Sequence, residues 1–211
     1  MSTKLQALLR ISGPPLCEPM PRGGLLSTND FGPLRELRKV LQARNGWYAF
    51  ESALHLRGTC AVGAEPALEE WNSKKGWRTG YGEAAEGCFF FAADAFGGQF
   101  CVSGEAVEKF DPETGMREHL ASNLEGWASV ILDDFEAQTG WPLLRQWQEV
   151  YGAIVPGRRL VPVTPFVLGG EYAVRNLRAV PSEEAMRFYG DLAMQLRDLP
   201  DGARVKLRVI D

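Results

Sequence analysis

The chain has 211 residues, 45% of them hydrophobic and 10% aromatic, with a net charge of −4 and an isoelectric point near 5.4. That length and apolar content suit one packed domain and exclude a disordered or low-complexity chain. The mild acidity argues against a general nucleic-acid binder, which would be basic, and the absence of a secretion-type leader or an apolar run of about 20 residues predicts a soluble, cytoplasmic protein.

Residues 12–33 hold five prolines and four glycines and predict a loop or extended lead-in, so residues 1–32 are taken as an N-terminal extension and 33–211 as a single domain. From Pro33 the pattern turns helical: Leu34, Leu37, Val40 and Leu41 share one face. Asn45-Gly46 stops that helix, since both residues tolerate positive φ. The next stretch, GWYAFESALHL, is apolar on too many sides to choose between helix and strand. Glu65 to Asn72 predicts a short helix, and SKKGWRTGYGEAAEG a surface connection.

The middle of the chain is strand territory. CFFFAA (88–93) is apolar throughout, as a strand covered on both faces requires. QFCVSG (99–104) alternates, AVEKF (106–110) follows, and DPETG (111–115) supplies turn chemistry before MREHLA returns as a further strand. Residues 88–121 therefore predict an antiparallel meander. Asn123 then caps a helix whose apolar stripe is Leu124, Trp127, Ile131 and Phe135, and Gly140 ends it. A second helix starts at Trp141, with Pro142 in its first turn.

In the last third, Pro162 and Pro165 keep RRLVPVTPFVLGG out of a central strand, so it is placed along the domain's edge. YAVRNLRAV (172–180) predicts a strand. Ser182 predicts a cap for a helix lined by Ala185, Tyr189, Leu192, Ala193 and Leu196. Residues 203–210 alternate as a half-buried final strand. Helices before, between and after runs of strands predict an α+β fold, a largely antiparallel sheet flanked by helices.

The chemistry is sparse. A phosphate-binding loop leads from a strand into a helix, but Gly97-Gly98 and Gly169-Gly170 each lead into extended chain, so both are read as tight turns. His55 and His119 lack partners at metal-ligand spacing, so no metal is expected. Cys17, Cys60, Cys88 and Cys101 show no CxxC spacing and are read as free thiols in a reducing compartment. Cys60 lies five residues after His55, which leaves open a small-molecule binder or hydrolase using that pair. Trp77 either touches an anionic ligand together with its basic neighbours or lies flat on the domain under Arg78; the second reading is taken. Charge is uneven: residues 105–138 carry nine acids against Lys109 and Arg117. One-sign patches steer association, so Glu105, Glu108, Asp111, Glu113, Glu125, Asp133, Asp134 and Glu136 are the candidate partner surface.

FFFAADAFGGQF, then VEKFDPETG, then the tryptophan-centred helix NLEGWASVILDDFE resemble the SUKH superfamily. NGWYAFESALHL, EEWN and LVPVTPFVLGGEY are similar to its bacterial Smi/Knr-type branch, so the resemblance covers about residues 45–211. It implies an α+β domain with no enzyme activity, metal or cofactor. It also implies an immunity-like protein that binds and blocks a cognate toxin or effector in the cytoplasm, without nucleic-acid or membrane binding. A regulatory scaffold related to cell-wall-synthesis regulators is the alternative that the same resemblance implies.

Overall fold

The computed structural model describes residues 3–23, 26, 32–197 and 199–200. Its centre is a six-stranded antiparallel sheet whose spatial order is its chain order: β1 (Trp47–Ala49), β2 (Leu54–Leu56), β3 (Cys88–Ala93), β4 (Gln99–Ser103), β5 (Ala106–Phe110) and β6 (Arg117–Ala121). The meander expected over 88–121 is there. GWYAFESALHL resolves as a hairpin, turned by Phe50, Glu51 and Ser52, all at positive φ. The fold is α+β.

β3 is buried on both faces, as its unbroken apolar run required. On one side, Phe91, Phe100 and Val102 meet three helices, α1 (Thr3–Ile11), α2 (Gly32–Ala43) and α4 (Leu124–Asp133); the short helix α3 (Leu68–Trp71) lies between β2 and β3 in the chain. Trp127 stands at the centre of that layer, 5.1 Å from the Phe91 ring and 5.8 Å from Phe100, edge to face with both. On the other side, Phe90, Cys101 and Phe110 pack under the 3₁₀ segment Trp77–Ala85 and the last helix, Ser182–Leu196. A register shift between Phe90 and Ala92 leaves Phe91 as a bulge, so the adjacent residues Phe91 and Ala92 both join the Trp127 layer.

Several expectations change. The first residues are not only a lead-in: Leu5, Leu8 and Leu9 of α1 are buried in the core. Residues 73–87 are not a surface connection, because Trp77, Tyr81 and Ala85 recur every four residues and all face inward. Trp77 is 3% exposed, and its Nε1 donates to the Trp71 carbonyl at 3.0 Å. Arg78 lies over Phe90 rather than over Trp77. The long helix after Asn123 breaks at Asp134, whose carboxylate caps a new start, α5 (Phe135–Thr139). Gly140, left-handed, turns the chain into α6 (Trp141–Tyr151).

The edge segment forms its own two-stranded sheet, β7 (Arg158–Pro162) with β8 (Leu177–Pro181). Both prolines at its ends sit where a two-stranded ribbon tolerates them. The predicted strand over 172–180 therefore starts later, after a 3₁₀ turn at Val174–Asn176. Ser182 opens the final helix, α7 (Ser182–Leu196), without capping it. Its Oγ lies 3.0 Å from Glu65 Oε2 and 2.9 Å from the Gly157 carbonyl. The strand expected over 203–210 lies outside the described residues.

Candidate binding cleft

Three loops converge at one end of the sheet and leave a cleft of about 1000 Å³ between them. The first is the β3–β4 turn, Asp94 to Gly98. Asp94 Oδ1 accepts from the amides of Phe96 (2.9 Å) and Gly98 (2.8 Å), so the side chain closes the turn from inside. Gly98 is required there, because any Cβ would run into that carboxylate. The double glycine is thus a tight turn, as read.

The second loop joins β5 to β6, residues 111–115. The third follows β7 and carries the 3₁₀ turn Phe166–Leu168. Glu113 ties them together: its buried carboxylate accepts from the amides of Phe166 (3.1 Å) and Val167 (2.6 Å). The Phe166 ring stacks on Tyr172 at 4.0 Å with planes 5° apart, and meets Phe96 edge-on. Below them, the Tyr189 hydroxyl donates to the Phe96 carbonyl, joining α7 to the floor.

Asp94 and Glu113 hold their protons more tightly than ordinary carboxyls, in both cases chiefly because they are buried. Lys109, 3.8 Å from Asp94, and the donated amides act in the opposite direction. Glu113 commits both oxygens to backbone amides and Asp94 commits Oδ1, so these carboxyls help build the walls of the cleft. The groups that do face outward are different. Tyr172 is 73% exposed, Met116 70% and Val167 45%. Around them stand the exposed carboxylates of Asp111, Glu118 and Glu136. Among the described residues, none of these three makes an ion pair. Lys109 and Arg117 are the basic members of the lining, so the rim is mainly acidic rather than of one sign. An apolar centre with a polar rim is the anatomy of a binding surface.

No family model matches the chain, and no curated protein is similar to it in sequence. Among solved structures it is similar to Atu4351 from Agrobacterium tumefaciens, at 16% identity and a TM-score of 0.60, over 88% of this chain and 87% of that one. At that identity the likeness speaks for the fold alone.

The candidate acidic surface disperses in three dimensions. Asp111, Glu113 and Glu136 reach the cleft. The others have local tasks or lie elsewhere. Glu125 accepts from the amides of Lys4 and Leu5 at the start of α1, which satisfies open helix donors. Asp133 lies 3.4 Å from Lys4 Nζ, Asp134 caps α5, and Glu108 lies 3.6 Å from Arg117. Glu105 sits exposed in the β4–β5 turn. Met116, Glu118, Val167 and Tyr172 were not singled out by sequence; only Tyr172, a large aromatic in a Gly-Glu-Tyr loop, carried any signal.

The His55–Cys60 pair is corrected. Cys60 is joined to Cys17 in a disulfide, so it has no thiol to act as nucleophile and neither residue is the free thiol expected; Cys88 and Cys101 are free. His55 is fully buried, stacked on Tyr48 at 4.4 Å, and its Nδ1 is 3.5 Å from Glu65 Oε1. Burial, then Arg159 and Arg57, push its pKa well below the usual value. Glu65 also pairs with buried Arg57, whose guanidinium lies 3.4 Å over the Trp71 ring. This group is an internal joint between the main sheet and the β7–β8 ribbon.

Proposed function

We propose that this chain is a non-enzymatic, immunity-like binding protein that seats a basic, apolar-tipped segment of a cognate toxin in the cleft. The observation that carries the reading is the exposed Tyr172–Met116–Val167 patch ringed by Asp111, Glu118 and Glu136. Such a rim attracts lysine- and arginine-rich surfaces and repels phosphate backbones, so the partner is a protein rather than a nucleic acid. Tyrosine at the centre of a patch is a frequent anchor residue, because it buries much area with little entropy to lose. The SUKH-type motifs support the same role. No helix among the described residues is long and apolar enough to cross a membrane. The cytoplasm is the proposed place of action, and the Cys17–Cys60 bond, a type of link rare there, makes that testable by trapping thiols in intact cells.

The decisive experiment is co-expression with the product of the adjoining gene, scored by growth. Wild type should restore growth and form a one-to-one complex whose association slows as salt rises. Tyr172→Ala should weaken the complex at least about tenfold, the cost of losing an anchor residue. Asp111→Lys with Glu136→Lys should chiefly slow association. Full protection by both variants would place the contact on another face. A harmless neighbour product that forms no complex would end the toxin reading.

A further inference from the structure

A second site lies on the sheet face opposite Trp127, toward the far end of β3. In the β4–β5 ladder Cys101 is directly opposite Glu108. In the β3–β4 ladder Cys88 is opposite Ser103, which places it diagonally beside Cys101. Side chains alternate along strands, so all three project from the same face. The two sulfurs and a Glu108 oxygen lie within 4.8 Å of one another. From these positions we infer that Cys88, Cys101 and Glu108 bind one thiophilic divalent cation of the Zn²⁺ type.

The geometry needs little adjustment. Tetrahedral zinc, with bonds of about 2.3 Å to sulfur and 2.0–2.2 Å to oxygen, holds its ligand atoms roughly 3.5–3.8 Å apart. Closing from 4.8 Å takes side-chain rotation on strands that are already paired. The ligand set is right for a soft or borderline ion: thiolate sulfur excludes Mg²⁺ and Ca²⁺, which take oxygen. Glu108 Oε2 is buried and accepts no hydrogen bond, an orphan acceptor inside the cluster.

Charge points the same way. Arg117, from β6, lies over the cluster with Nη1 3.2 Å from Cys88 Sγ and 3.3 Å from Ser103 Oγ. It is also 3.6 Å from Glu108 Oε2. The site is thus already built to hold positive charge. Two thiolates and a carboxylate carry three negative charges; a dication and Arg117 carry three positive ones. Bound metal leaves the pocket neutral, with Arg117 donating to a metal-bound sulfur as outer-shell partners commonly do. Arg117 is on the rim and partly exposed, so it can swing aside as the ion enters and return to the sulfur afterwards, with water in the fourth position.

The test uses the full chain with Cys88 and Cys101 reduced and Co²⁺ as the probe. One equivalent should produce the strong visible bands of tetrahedral cobalt and a thiolate charge-transfer band, both removed by Zn²⁺. Glu108→Gln, at a partly exposed position, should keep the charge-transfer band and weaken binding at least about tenfold. Cys88→Ser should lose most of that band. Circular dichroism establishes that each variant is folded. Absence of the charge-transfer band in folded wild-type protein at millimolar Co²⁺ overturns the site, as does unchanged binding in folded Glu108→Gln and Cys88→Ser.

Discussion

Removing the Glu113 carboxylate tests how the cleft is held open. In Glu113→Ala the amides of Phe166 and Val167 lose their acceptor. A hydrogen bond to a charged group is worth about 1.5–3 kcal/mol, so two together stand at about 3–6 kcal/mol. The Phe166 loop is near the surface, and water can reach the freed amides, which brings the expected loss to about 2–3 kcal/mol. For a chain of this length that is a fall in Tm of roughly 4–12 °C. Calorimetry measures it directly. Glu113→Gln keeps one acceptor oxygen and should melt between the alanine variant and wild type. Both variants also separate from wild type as pH changes. Burial raises the native pKa of Glu113 above that of a free carboxyl. The native state therefore binds the proton more tightly than the unfolded chain, and this group's contribution to stability declines as pH rises from about 4.3 through the raised native value. Neither variant can ionise, so both should lose that slope. An alanine variant that melts within a degree of wild type would mean that the carboxylate does not hold the loop.

Asp94→Asn keeps the oxygen that accepts from Phe96 and Gly98. Its stability at neutral pH should stay within about 1 kcal/mol of wild type. The decline with rising pH that begins near the free aspartate value of about 3.9 should flatten, since burial has raised the native pKa; urea melts at stepped pH would expose an unchanged slope. The Cys17–Cys60 bond closes a span of 43 residues. Chain-entropy arguments give it about 4 kcal/mol, so the Cys17→Ser, Cys60→Ser double variant should unfold at markedly lower urea. A loss below about 1 kcal/mol would show that the surrounding contacts hold the N-terminal segment without it.

The meander was legible because β3 carried an unbroken apolar run, β4 alternated, and each turn held its own glycine or proline. The break at Asp134 was not, since Ile131 and Phe135 are four residues apart whether the helix runs on or restarts. Trp77, Tyr81 and Ala85 did show a four-residue period, but neighbouring lysines and glycines made the segment look external. The cleft as a unit could not be read: Met116 comes from the β5–β6 connection, Glu136 from α5 and Tyr172 from the loop after β7. Nor could the disulfide, because only the folded chain brings Cys17 beside Gly58 and the loop that carries Cys60. Arg57, at the end of ALHL, and Arg159, just before LVPV, were the overlooked sign of a buried polar joint.

The position of α1 has a consequence for how the chain comes together. Its amides at Lys4 and Leu5 bond to Glu125, 121 and 120 residues away. The six strands, by contrast, pair only with their immediate successors. On a ribosome adding about 5–20 residues per second, the first helix waits roughly 6–24 s before its partner exists. The sheet can assemble strand by strand in that interval. An apolar helix made first and docked late is the segment for which a chaperone would compete.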